Sequence, residues 1–138
     1  MTEFESDNEI MELFWRGIHE GNLSQVRDCV SKTPLLVNAV HPEQKLSAFE
    51  IALAAGYQKI ALELMGAPDF DLDLSQHNPL RIAIELGYLD MADTLLQKGA
   101  NPNYRPRGMS SALLLCLERE YFHLAELMVA KGAEVDIR

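Results

Sequence analysis

Apolar residues recur along this chain at helical spacing, in short runs that glycines and polar turns interrupt. Ile10, Leu13, Phe14, Gly17 and Ile18 form one stripe, while Glu9, Glu12, Arg16 and Glu20 keep the opposite side wet. Ser6 with Glu9 makes a capping box, so a first helix is predicted from about Asp7 to just before Gly21, with residues 1–5 frayed. Met11 and Trp15 widen its stripe and read as extra core. Asn22 with Gln25 opens a second helix that carries Val26, Cys29 and Val30 inward. Ser47 with Glu50 opens a slim helix rich in alanine (Ala52, Ala54, Ala55) that stops at Gly56. The next helix, around Tyr57 to Met65, reads as about two residues short before Gly66. Asn78-Pro79 caps and starts a helix through Leu80, Ile82, Ala83, Ile84 and Leu86 to Gly87. Its partner runs from Leu89 to Lys98, with Met91, Ala92, Leu95 and Leu96 on one face. The last pair spans Ser111 to Glu120 and Tyr121 to Lys131.

The four inter-helix turns fall at Gly21, Gly56, Gly87 and Glu120, separated by 35, 31 and 33 residues. Gly99-Ala100-Asn101-Pro102-Asn103 recurs 33 residues later as Gly132-Ala133-Glu134-Val135-Asp136. A helix pair of this size cannot bury its apolar face alone, so each unit needs stacked neighbours. In spacing and residue type together the chain resembles the ankyrin repeat: a helix-capping start, a glycine between the helices and a Gly-Ala-Asp-Val-Asn-like end. The resemblance covers residues 9 to 138. It implies an all-α ankyrin-repeat solenoid, a single domain over 1–138 built of four helix-turn-helix units near 7–40, 41–74, 75–105 and 106–138 with short finger-like turns. No unit carries a full Thr-Pro-Leu-His start. Where the family wants a small residue between packed helices, this chain has Gly17, Ala52, Ala83 and Cys116. Unit four departs further: Glu120 replaces the turn glycine, and Leu113 to Leu117 is apolar nearly all round. Either Leu114 or Leu115 is expected under the outer helix; failing that, an apolar patch remains at that end.

Charge narrows the partners. The formal charge is −9, with −4 in residues 1–40, −4 in 41–74, zero in 75–105 and −1 in 106–138. That balance argues against a nucleic-acid backbone or an anionic membrane and allows a basic protein, or a basic cleft, to be drawn to the N-terminal half. Cys29 and Cys116 lie in the first and fourth units, too far apart for a disulfide. The acidic start lacks a secretory signal and no apolar run reaches membrane-spanning length, so a cytoplasmic location is expected unless a leader has been removed.

No chemistry-bearing motif stands out. His19, His41, His77 and His123 fall in four units without paired ligand spacing. Asp69, Asp71, Asp73 and Ser75 imitate the start of a calcium loop, but Leu74 replaces its glycine and Leu80 its bidentate glutamate. The chain is therefore expected to be no enzyme and to take no cofactor or metal. What remains is surface. The resemblance implies partner binding on a concave side made of the fingers and inner-helix ends. Carried over by position, the first finger offers His41, Glu43, Gln44 and Leu46, and the next Leu72, Leu74, Ser75 and His77. The third offers Arg105, Arg107 and Ser110 beside Tyr104. The helix ends add His19, Glu20, Ala54, Ala55, Glu85, Leu86, Glu118 and Arg119. Small stand-alone bacterial ankyrin proteins are sometimes antidotes to a toxic hydrolase, which implies a non-catalytic protein that sequesters or inhibits one partner by covering its cleft. The alternative is a structural subunit that self-associates through the apolar end of unit four, although a monomer is the expectation.

Overall fold

The computed structural model describes residues 7–74, 77–104 and 110–134. The chain divides into two compact units, Met1–Asp71 and Leu72–Arg138, and each contains two helix pairs.

In the first unit α1 (Asp7–Glu20) and α2 (Leu23–Lys32) form one antiparallel pair. A 3-10 turn (Pro34–Asn38) leads to α3 (Ala48–Ala54) and α4 (Gln58–Gly66), the second pair. The pairs stack inner on inner, α1 on α3, and outer on outer, α2 on α4. Phe14, Ile18, Val26, Phe49, Leu53, Ile60 and Leu64 make the core between them. The second unit repeats the scheme. Helix α5 (Pro79–Leu86) pairs with α6 (Leu89–Gln97), α7 (Ala112–Glu118) with α8 (Phe122–Ala130), and α7 and α8 pack on α5 and α6. Its core centres on Leu80, Ile84, Leu95, Leu96 and Met128.

Four caps read from sequence are made, and the fifth, at Ser6, lies outside the described residues. Asn22, Ser47, Asn78 and Ser111 each accept a hydrogen bond from the backbone N–H three residues on, at 3.1 Å, which satisfies one of the orphan donors of the first turn. The turns at Gly21, Gly56 and Gly87 adopt the left-handed conformation, with φ of 71°, 86° and 84°. Glu120 takes the same conformation, φ 62°, without glycine's freedom. Gly17, Ala52, Ala83 and Cys116 are all buried, as the small-residue column requires.

Three details differ from expectation. Helix α4 is not short: it has nine residues, like α6 and α8. Gly66 is its last residue instead of its stop, because its φ stays outside the left-handed region. The missing length lies in the connector that follows. Trp15 joins the core but Met11 does not, being 39% exposed. In unit four Leu115 is buried and Leu114 half-buried, and within the run Leu113 to Leu117 the exposed side chain is Leu117.

Side-chain amides tie successive helix pairs together where the connectors pass. Asn38 donates to the Asp69 carbonyl (2.7 Å) and accepts from the Asp71 N–H (2.6 Å). In the second unit Asn103 donates to the Gly132 carbonyl (3.1 Å) and accepts from the Glu134 N–H (2.7 Å).

Candidate functional site

In the first unit the C-terminal end of α1 and the finger Val40–Ser47 form one assembly. An antiparallel bridge between Val40 and Ser47 closes the finger. Inside it His41 N–H donates to the Leu46 carbonyl (2.8 Å) and Lys45 N–H to the His41 carbonyl (2.9 Å). The His41 ring then fixes the tip: its Nδ1 accepts from the N–H groups of Glu43 (3.2 Å) and Gln44 (3.1 Å). With Nδ1 engaged as an acceptor, the ring proton of the neutral imidazole sits on Nε2.

The same ring is held from below. Its centroid lies 4.9 Å from Trp15, edge-on, and 5.6 Å from His19, a favourable arrangement for aromatic quadrupoles. His19 Nδ1 donates to the Trp15 carbonyl (2.8 Å), and its Nε2 lies 3.0 Å from the Gln44 side-chain amide. Turning that amide over lets the contact serve either a neutral or a charged ring. The Tyr57 hydroxyl reaches the His19 carbonyl at 3.5 Å. Trp15 Nε1 is buried without a hydrogen-bond partner, so the indole ring itself is held by packing alone. The result is a pinned finger whose tip leaves Glu43, Gln44 and Lys45 exposed, with Leu46 half-buried. Ala54 and Ala55, at the end of α3, are exposed as well.

In the second unit several expected surface residues have internal work. Arg81 is buried; its Nε pairs with Glu85 (3.2 Å) and its Nη1 donates to the Ser110 carbonyl (2.6 Å). Arg119 Nη1 donates to the carbonyls of Ile84 (3.3 Å) and Glu85 (2.6 Å). A cation on the open carbonyls of α5 also suits the negative end of the helix dipole. Leu86 and Glu118 remain exposed, and Leu72, Leu74, His77, Tyr104 and Ser110 are half-buried. Ser75, Arg105 and Arg107 lie outside the described residues.

Sequence reasoning named His19, His41 and Gln44 as surface residues but did not foresee that the two imidazoles meet. They are 22 residues apart, and only the return of the closed finger to the end of α1 joins them. Arg81 was also missed, although an arginine inside the run Leu80-Arg81-Ile82-Ala83-Ile84 was a visible signal. Cys116 is buried, and that burial pushes its thiol up to about 11, with Arg119 pulling the other way. Such a thiol is protonated near neutrality and is a poor nucleophile. Among the described residues no three His, Cys, Asp or Glu side chains are grouped to hold a metal ion, and no helix is long and apolar enough to cross a membrane.

Comparison with known proteins agrees with the helix pairs. The family model described as "Ankyrin repeats (many copies)" matches residues 80–136, the stretch that runs from the second residue of α5 to beyond the end of α8. The chain is also similar to the ankyrin repeat domain-containing protein 17 of Mus musculus, at 36% identity over 62 residues. That match takes in 44% of this chain and spans 2% of the relative's length.

Proposed function

Because this chain belongs to the ankyrin-repeat family, whose repeats are protein–protein interaction modules, we propose that it binds and sequesters one partner protein without catalysis. The partner is a basic protein, or an enzyme such as a hydrolase with a basic active-site cleft that the chain covers. The observation that carries this reading is the pinned first finger. Its tip is held by the His41 ring and the His19–Gln44 contact before any partner arrives, so little ordering entropy is lost on binding. It offers exposed Glu43 and Gln44 within residues 1–74, which carry −8 of the total charge of −9, and such a field speeds encounter with a cationic surface.

The whole of residues 1–138 acts as one binding domain of four units in this reading. The third finger adds Tyr104, Arg105 and Arg107, residue types that often dominate interface energy, stiffened by Pro106. Leu72, Ser75, His77, Leu86 and Glu118 complete the set, while Glu85 and Arg119 contribute through the α5 end they hold.

Co-purification from the native cell followed by mass spectrometry identifies the partner, and calorimetry with the purified pair measures affinity. Replacing Glu43 and Gln44 by alanine is expected to weaken binding by about 2 kcal/mol, Gln44 partly by releasing the His19 contact that pins the tip, with folding stability lowered by no more than about 0.5 kcal/mol because that contact is exposed. An affinity that survives both this double variant and Arg105→Glu with Arg107→Glu rejects the assigned surface. Failure of native extract to yield any stable partner rejects sequestration.

A further inference from the structure

The first finger is closed by two kinds of bond, and only one of them depends on a titratable group. At its base, the Val40–Ser47 bridge and the bond from His41 N–H to the Leu46 carbonyl (2.8 Å) use backbone alone. At its tip the closing acceptor is a ring nitrogen. His41 Nδ1 accepts from the N–H groups of Glu43 (3.2 Å) and Gln44 (3.1 Å). Both donors are main-chain amides with fixed hydrogens, so Nδ1 must bring a lone pair and cannot carry a proton. The tip is also strained. Lys45 holds φ 58°, in the left-handed region that a side chain occupies at a cost. Glu43, Gln44 and Lys45 are exposed, so apolar burial does not hold the tip.

We infer that His41 makes this tip a pH-sensitive clasp, closed while the imidazole is neutral and released when Nδ1 takes a proton. Imidazoles change charge in the range of about pH 5–8, and the half-buried His41 ring is within reach of solvent. A proton turns Nδ1 from acceptor to donor and sets one N–H against two others. Both bonds are lost together, and the strain at Lys45 favours opening. His19 responds differently. Its Nδ1 donates to the Trp15 carbonyl, and the Gln44 amide can turn to serve either charge state at Nε2. A proton on His19 is thus accommodated, whereas one on His41 is not. Two charged rings with centroids 5.6 Å apart also repel, which works against the closed finger. The charged and titratable groups around them are Glu12, Arg16 and Glu20 on α1, Glu43 and Lys45 on the finger, Glu50 in the first turn of α3 and Tyr57 ahead of α4. The 3-10 turn contributes none. Among the described residues no carboxylate is in ion-pair contact with either imidazole, so a charged His41 has no counter-ion to hold it in place. The backbone bonds at the base persist, which confines the opening to the tip. This clasp belongs to the free chain and does not depend on what the finger binds; on the binding surface proposed above, it makes acid a signal for release.

NMR of the free chain from about pH 8 to about pH 5 tests this, with ring carbon shifts reporting the charge of each histidine and backbone relaxation the order of the tip. The order parameters of the Glu43 and Gln44 amides are expected to fall from about 0.85 to below about 0.6 as the His41 ring becomes charged, while Val40 and Ser47 keep theirs. His41→Asn retains an acceptor, because an asparagine oxygen accepts from the N–H two residues on, and it does not titrate. Its tip should stay ordered throughout. His41→Ala should leave the tip open at both ends of the range, and His19→Gln should keep the wild-type response. A tip that stays ordered after the His41 ring has become charged overturns the proposal. So does a His41 ring that stays neutral down to about pH 5, or a response that persists in His41→Asn or disappears in His19→Gln.

Discussion

Glu120 holds the left-handed turn between α7 and α8 at φ 62° where the other three units use glycine. A side chain in that region costs roughly 1–2 kcal/mol, partly offset because glycine loses more freedom on folding. Glu120→Gly is therefore expected to stabilise the chain by about 0.5–1 kcal/mol, read as a higher denaturant midpoint; an unchanged midpoint would mean the turn is not strained. Gly21→Ala should go the other way and further. Its φ is 71°, and an added Cβ would stand 2.7 Å from the Tyr57 ring, so strain and overlap act together. Cys116 sets a pH window. Its thiol pKa rises from 9.0 to about 11 through burial, so the folded state favours the neutral form. The stability this contributes is complete below pH 9 and is lost as pH climbs toward 11. The stability difference between wild type and Cys116→Ala should accordingly shrink by about 2 kcal/mol across that interval. A difference independent of pH would show that the thiol ionises freely in the folded chain.

At the scale of the helix, small side chains and one buried arginine decide the packing. Ala52 and Ala83 have no exposed surface, and enlarging either to leucine should overpack its helix pair by roughly 1–3 kcal/mol. Wild-type melting in both variants would contradict the stacking of inner helices. Arg81→Met should cost about 2–3 kcal/mol, because it removes charge-assisted bonds to the Ser110 carbonyl and Glu85 and leaves that carbonyl unpaired. These elements were largely legible beforehand. The caps at Asn22, Ser47, Asn78 and Ser111, the turn glycines and the 3.6-residue stripes are local signals, and local signals suffice for a helix. The end of α4 was misread because Gly66 resembles a stop, yet a glycine also fits a last helical residue when its φ stays negative. Leu117 was overlooked for a different reason. Which of five consecutive apolar residues remains open depends on where the neighbouring helix lies, and the run itself carries no periodicity to say so.

For the molecule as a whole, the uneven charge gives the clearest expectation about the partner. If residues 1–74, with their −8, steer a cationic surface into contact, the association rate should fall steeply with added salt while dissociation changes little. Stopped-flow measurements at several ionic strengths separate the two, and a salt-independent association rate removes charge from the account. The candidate surface was legible as a set of positions, His41, Glu43 and Gln44 among them, but not as an assembly. The contact of His41 with Trp15 and His19 is long-range and leaves no pattern in the chain. The asparagine joints have a consequence of another kind, in the protein's ageing. Asn38 and Asn103 each use one amide as both donor and acceptor to a neighbouring strand of backbone. Between such single-residue joints the loops are free to gain or lose residues, as the turn spacings of 35, 31 and 33 show. The joint itself has no such latitude. Deamidation of Asn103 would exchange one nitrogen for an oxygen and set a carboxylate against the Gly132 carbonyl, turning a bond into a repulsion. A chain that tolerates whole inserted residues in its loops is thus vulnerable, over its lifetime, to the loss of a single ammonia.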